Sequence, residues 1–168
     1  MIDVDYLRTM ARYNAWQNRS LYCAADSISE ADRLKDRGAF FTSIHGTLSH
    51  LMWGDRQWMS RFAPALVEKP PLLVRQSPGN YPDWADLKAK RVAFDKLLIE
   101  WADHLDPAWV DGDIEWYSGI LKANVVKQKG FIVTHFFNHQ THHRGQVHAM
   151  LTAAGATPDD TDLMLMQP

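Results

Sequence analysis

The sequence predicts an all-α fold, a four-helix bundle with a long crossover loop and a short extended hairpin before the last helix. Three observations carry that prediction. Apolar residues recur at the 3–4 spacing of one helix face in four long stretches. The prolines fall between those stretches, with five of them in the segment Pro64 to Pro82. Only residues 112 to 128 change to a β-rich composition. The 168 residues, 46% hydrophobic and 23% charged, suit one domain spanning 1–168 with a sizeable core.

The first helix covers residues 3 to 26. Asp3 or Asp5 can cap it, and Leu7, Ala11, Asn14, Asn18 and Leu21 form one stripe. A buried amide must find partners, so Asn14 and Asn18 either line a polar cavity or sit at the stripe's edge in water; the second is the plainer expectation. Ser27 to Asp32 reads as a turn with fresh capping residues, and Arg37-Gly38 as a break. A second helix starts near Phe41 or Ser43, carries Ile44, Thr47, Leu48, Leu51, Met52, Trp58, Met59 and Phe62, and stops before Pro64. Pro64 to Pro82 is a loop long enough for a lid or a crossover. Tyr81-Pro82-Asp83 starts a third helix over 84 to 105, with Leu87, Val92, Phe94, Leu97, Leu98 and Trp101. His104 lies in its last turn, where a cation suits the helix dipole. Asp106-Pro107 ends it. Ile114 to Tyr117 and Ile120 to Val126 read as two short strands around Ser118-Gly119. The last helix runs from Lys129 to Ala154, with Gly155 as its stop. The tail, Asp159 to Met166, is acidic and then apolar and is expected to pack back on the body.

Composition excludes several functions. A formal net charge of −2 leaves no basic footprint for nucleic acid. No apolar run approaches the ~18 residues of a membrane span. The start, Met1-Ile2-Asp3-Val4-Asp5, lacks the basic and apolar regions of a signal peptide. Cys23 is the single cysteine, so neither an intrachain disulfide nor a thiolate metal cluster can form. These features suit the cytoplasm. Several of the seven tryptophans are expected in the core or at a subunit interface.

The chemistry concentrates in the last helix. Five of the eight histidines lie between His135 and His148. At about 100° per residue, His135, His139 and His143 step round the axis by roughly 40° each and share one face. Two imidazoles four apart can reach one metal ion, but a complete site needs a ligand from another segment. His50 on the second helix is the best choice, because Gly46 and Gly54 leave room beside it. Trp53 and Gln57 share its face; His45 and Asp55 point away. Neutral imidazoles suit Zn, Ni, Fe or Cu, and three of them leave a position open. His135 and His142 are each a fourth ligand, a partner of a ligand or a packed polar group. Gln146 is placed to bond a metal-bound water or substrate. Arg144 points away, toward a salt bridge or a subunit interface, and His148 lies opposite His139. The sequence offers no Ser-His-Asp arrangement, phosphate loop or EF-hand.

The stretch His135 to Gln146, HxxNHxTHHRGQ, resembles the signature helix of the DinB/YfiT-like superfamily of small bacterial metalloproteins. Tyr13-Asn14-Ala15-Trp16-Gln17-Asn18 resembles the family's first-helix motif. Ser43 to Leu51, with Trp53, Asp55, Trp58 and Arg61-Phe62, resembles its second, and Pro158 to Leu163 its tail. Most of the chain is covered. The resemblance implies a metal triad at His50, His139 and His143, a divalent ion such as Ni or Zn, a four-helix bundle and a homodimer. Ser49 stands where related sequences often carry Asn. Characterised relatives include thiol S-transferases and mycothiol-dependent isomerases, and the family name implies no DNA binding.

The leading expectation is therefore a metal-dependent enzyme, S-transferase or hydrolase-like, activating a low-molecular-weight thiol or water against a small-molecule substrate. Asn14 and Trp53 join Gln146, His135 and His142 as residues around the metal or substrate. The alternatives are a non-catalytic, stress-response protein with a structural metal, and a plain dimeric module with surface histidines.

Overall fold

The computed structural model describes residues 2–71, 73–119 and 121–167. Ile120, assigned above to the second strand, lies outside the described residues. The protein is mostly helical, with one small antiparallel sheet. Helix α1 spans Val4–Asp26 and is capped by the Asp3 carboxylate, which accepts from the Tyr6 amide at 2.9 Å. The expected turn after it contains a short helix, α2 (Glu30–Leu34), with Ser29 as its cap. Gly38 at φ +72 and Thr42 at φ 64 then reverse the chain into α3 (Ile44–Phe62).

Helix α4 spans Trp84–Asp103 with Asp83 as its cap. His104 sits at its end, where the ring Nδ1–H donates to the Glu100 carbonyl at 2.8 Å. Strands β1 (Asp113–Ser118) and β2 (Ala123–Gln128) pair from Asp113↔Gln128 to Ser118↔Ala123. Helix α5 (Lys129–Ala153) follows directly, and Gly155 at φ +84 ends it in the left-handed conformation that favours glycine. Helix α1 packs on α4 and α5, and α3 packs on α5.

The apolar stripes read from the sequence meet in one core, where Leu7, Leu21, Leu48, Met59, Leu87, Leu98, Phe136 and Phe137 are almost completely buried. Each such side chain contributes about 1.5–3 kcal/mol by leaving water. Three expectations need correction. Asn14 and Asn18 are not at a wet edge: they are 1% and 3% exposed, because each amide donates to the buried Asp95 carboxylate. On α4, Val92 is 72% exposed while Arg91 and Asp95 face the core with Leu87, Phe94 and Leu98; Val92 lies roughly 140° round the helix from Leu87, Asp95 only about 80°. The tryptophans are half-buried, not core residues. Several ring the core as a cluster, with Trp101 stacked on Phe62 at 6.0 Å and Trp58 edge-on to Trp116 at 5.5 Å.

The tail divides in two. Tyr13 Oη donates to the Thr161 carbonyl at 2.7 Å, Gln17 Nε2 to that of Asp160 at 3.0 Å, and the Asp159 amide to Ser20 Oγ at 2.8 Å. The acidic part thus docks on α1. Its apolar end, Leu163 to Leu165, stays exposed instead of packing back, because backbone bonds to α1 stop at residue 161. Among the described residues no helix is long and apolar enough to cross a membrane.

Candidate metal centre

The centre is built where α3 lies against α5. His50 comes from α3, and His139 and His143 come from successive turns of α5. The i, i+4 spacing stacks the last two on one face, with ring centroids 4.6 Å apart. One ligand nitrogen from each of the three lies within 4.8 Å of the others. His50 Nε2 and His139 Nε2 are 3.2 Å apart. Two nitrogens at Zn–N bonds of about 2.0–2.1 Å in a tetrahedral site would be separated by roughly 3.4 Å. The three residues therefore lie close enough to bind one ion.

Glycine explains how the helices approach so closely. A Cβ at Gly54 would lie 3.0 Å from His139 Cε1, so the missing side chain is the space the ring occupies. Gly46 has a different role from the one expected: its Cβ would meet the Phe41 carbonyl oxygen at 2.5 Å, so it admits the backbone before α3. Phe41 itself covers one side of the centre, with its ring stacked on His50 at 3.7 Å between centroids.

Hydrogen bonds aim two of the rings. Ser77 Oγ donates to the Val74 carbonyl at 2.6 Å, so it must accept from His50 Nδ1–H, 2.8 Å away. His50 Nε2 is left with its lone pair toward the centre. Likewise His143 Nδ1–H donates to Gln146 Oε1 at 2.8 Å, freeing Nε2. His139 Nδ1 has no hydrogen-bond partner among the described residues; packing against Gly54, His135 and His143 holds its ring. Such partners fix tautomer and orientation in metal sites generally.

The electrostatics favour neutral, metal-ready imidazoles. Burial, reinforced by His139 and His143, pushes His50 down to about 3. Burial, reinforced by His143, His135 and His142, does the same for His139, also to about 3. His143 is lowered by burial as well, against the opposing pull of its bond to Gln146. A cluster that resists protons and, among the described residues, has no carboxylate within ion-pair distance fits a cation as its balancing charge.

The other sequence-derived residues divide. Gln146 bonds His143, so it orients a ring instead of reaching toward a water or substrate, and its Nε2 donates to His142 Nε2 at 3.2 Å. His142 is exposed and joins the centre only through Gln146. His135 is exposed, 5.9 Å from the His139 ring and 5.3 Å from Trp58, as a packed neighbour. Trp53 stacks on His50 at 5.8 Å. Asn14 lies in a separate buried network. Arg144 is also there, buried, with Nη1 bonded to Asn14 Oδ1 and its guanidinium 5.4 Å from the Tyr13 ring. Burial excludes the subunit-interface role, and no carboxylate pairs with it among the described residues. His45 points away as expected, donating from Nε2 to the Tyr81 carbonyl at 2.7 Å. Sequence reasoning missed Ser77 and Phe41. Neither carries a spacing signal: Phe41 lies in the turn before α3, and Ser77 in a short 3-10 helix, Val74–Gly79, within the Pro64–Pro82 connection.

Comparison with known families decides the relationship: the DinB family matches residues 1–167. The chain belongs to the DinB family. It is 26% identical over 166 residues to Protein DinB of Bacillus subtilis (strain 168), covering 94% of this chain and 91% of that one. The DinB match takes in both helices that carry the three histidines.

Proposed function

We propose that this DinB family protein holds one divalent transition ion, nickel or zinc, through His50, His139 and His143. The ion serves a metal-dependent enzyme, S-transferase or hydrolase-like, acting on a small-molecule substrate with a low-molecular-weight thiol or water. The observation that carries the reading is the pair of tethers: Ser77 and Gln146 each occupy the Nδ1 side of a ring and leave its Nε2 toward one point. When bound, such an ion supplies a Lewis acid that lowers the pKa of a coordinated water or thiol. The chain's own residues orient the ligands, keep them unprotonated and cover one side with Phe41. His139 is only half-buried, so the cluster is reached from the surface. The reading takes the chain as one cytoplasmic domain over 1–168, a four-helix bundle of DinB/YfiT type and a homodimer, without nucleic-acid or membrane partners.

Elemental analysis of untagged protein tests the first step, with about one ion per chain expected. His139→Ala is expected to abolish metal uptake and turnover together, in a screen of small thiols against alkylating electrophiles. Turnover that survives complete metal removal would overturn the mechanism.

A second reading, a non-catalytic stress-response protein with a structural ion, is favoured by one feature: the ligands bridge α3 and α5. It predicts a large rise in melting temperature with metal. Stability retained in EDTA counts against it.

A further inference from the structure

Arg61 lies 11 residues beyond His50 on α3, hence about 20° from it round the axis, on the same face and roughly three turns along. Its guanidinium carbon sits 4.5 Å from the centroid of Trp58 and 5.7 Å from that of Trp116. Among the described residues it makes no ion pair and no hydrogen bond, and none of its nitrogens is a sealed, unpartnered buried atom. It is nevertheless half-buried, and burial lowers its pKa. Two indole rings thus hold a partly desolvated cation in place without a counter-charge, which leaves its N–H fork free for a planar anion.

The position connects this cation to the histidines. Long side chains on a helix lean toward its N-terminus, which carries the Arg61 head back toward His50. Between the two on this face lie Gly54, whose place the His139 ring takes, and the half-buried Gln57, one turn before Arg61. Trp58 touches His135 at 5.3 Å and His135 touches His139 at 5.9 Å, both between ring centroids. A continuous aromatic floor therefore runs from the metal ligands to the guanidinium, over roughly 10–15 Å by the helix rise less the side-chain lean.

We propose that Arg61, framed by Trp58 and Trp116, binds the carboxylate of an elongated small molecule whose thiol end lies at the three histidines. The inference rests on the thiol-activating reading above and names the class of thiol: one carrying a carboxylate at its far end. The carboxylate accepts from the guanidinium fork in a bidentate pair, while the connecting chain lies across His135 and Trp58.

The test uses the full-length protein loaded with Co(II), whose sulfur-to-cobalt absorption reports thiol binding without any turnover. ω-Mercaptoalkanoates of increasing chain length are titrated beside the matching ω-mercaptoalkanols. At the chain length that spans the floor, the acid is expected to bind about tenfold more tightly than the alcohol, the yield of one charge-assisted contact. Arg61→Gln is expected to erase that preference while leaving cobalt content and alcohol affinity unchanged, and Arg61→Lys to retain part of it. Equal affinity of acid and alcohol at every length in the wild-type protein, or a preference that persists in Arg61→Gln, overturns the carboxylate site alone. Absence of the absorption with every thiol overturns the thiol-activating reading, and this inference with it.

Discussion

Two polar assemblies are buried in this protein, and they solve opposite problems. The first runs through all four long helices. Arg91 on α4 contacts Asp55 of α3 at 2.6 Å and Asp95 at 2.7 Å; Asn14 and Asn18 of α1 donate to Asp95; Gln140 of α5 donates to Asp55 at 2.9 Å. Two carboxylates, Asp55 and Asp95, share the interior with two guanidiniums, Arg91 and, through Asn14, Arg144. Burial disfavours the Arg91 cation, but Asp95 and Asp55 outweigh it and raise its pKa; burial raises Asp95 despite the pull of Arg91. The match is imperfect, since Arg91 Nη2 lies near Asp95 but off the hydrogen-bond direction, and Arg91 Nε has no partner. Among the described residues no carboxylate is in ion-pair contact with the histidine centre; Asp55 acts on it only at a distance, raising His143 against its burial. Its rings are held neutral and aimed at one point. One assembly is closed and the other awaits a cation, so removing a member should cost folding in the first and binding in the second.

The sharpest break of that contrast is Arg91→Ala, which leaves Asp55 and Asp95 buried without the cation that contacts them. Urea unfolding should show a loss of about 3–5 kcal/mol, the cost of stranding a buried charge, with or without metal. An equal loss from His139→Ala in metal-free protein would erase the distinction.

Lowering the pH should separate the assemblies next. Unfolded histidine titrates near 6.5, whereas His50 and His139 in the fold are held at about 3. Between those values the unfolded chain binds more protons. The stability linked to these rings is therefore complete above about pH 6.5 and declines as pH falls toward 3. Thermal melting of metal-free protein across that range should show the decline, and His139→Ala should flatten it. An unchanged slope in the variant would contradict the assignment.

Smaller changes probe orientation. Ser77→Ala removes the acceptor that fixes His50 Nδ1–H and is expected to weaken metal binding about tenfold or more, as read by chelator competition. Gly54→Ala should be milder, forcing the His139 ring to give by a few tenths of an ångström because the new Cβ meets it at 3.0 Å. A modest fall in metal affinity with little change in unfolding is the expected result.

The two assemblies were not equally legible in the sequence. His139 and His143 declare themselves by the i, i+4 rule, because helix geometry converts spacing into a shared face; of the two glycines that pointed to His50, only Gly54 borders the centre, and the room it leaves is taken by His139. Helix boundaries followed from Asp3, Ser43, Asp83 and Gly155 for the same local reason. Arg91 and Asp95 were invisible, since a charged residue on a helix ordinarily faces water and only the arrangement of α1, α3 and α4 turns these inward. Val92 was misplaced for the complementary reason: an apolar residue there reads as core, although the helix carries it outward. Asn14 and Asn18 looked like an edge because their partner lies some eighty residues away. Ser77 sits on the short 3-10 helix Val74–Gly79, inside a proline-rich stretch that carries no apolar periodicity to show its direction.

The Ser77 tether also makes the long connection between α3 and α4 a party to metal loading. Its hydroxyl touches a ligand, and its carbonyl accepts from Ser49 of α3 at 2.8 Å. By reciprocity, whatever an ion gains from this seated loop, the loop gains from the ion. Protease sensitivity between Pro64 and Pro82 would then track occupancy at a site several residues of chain away, turning a routine digestion into a gauge of how full the protein is.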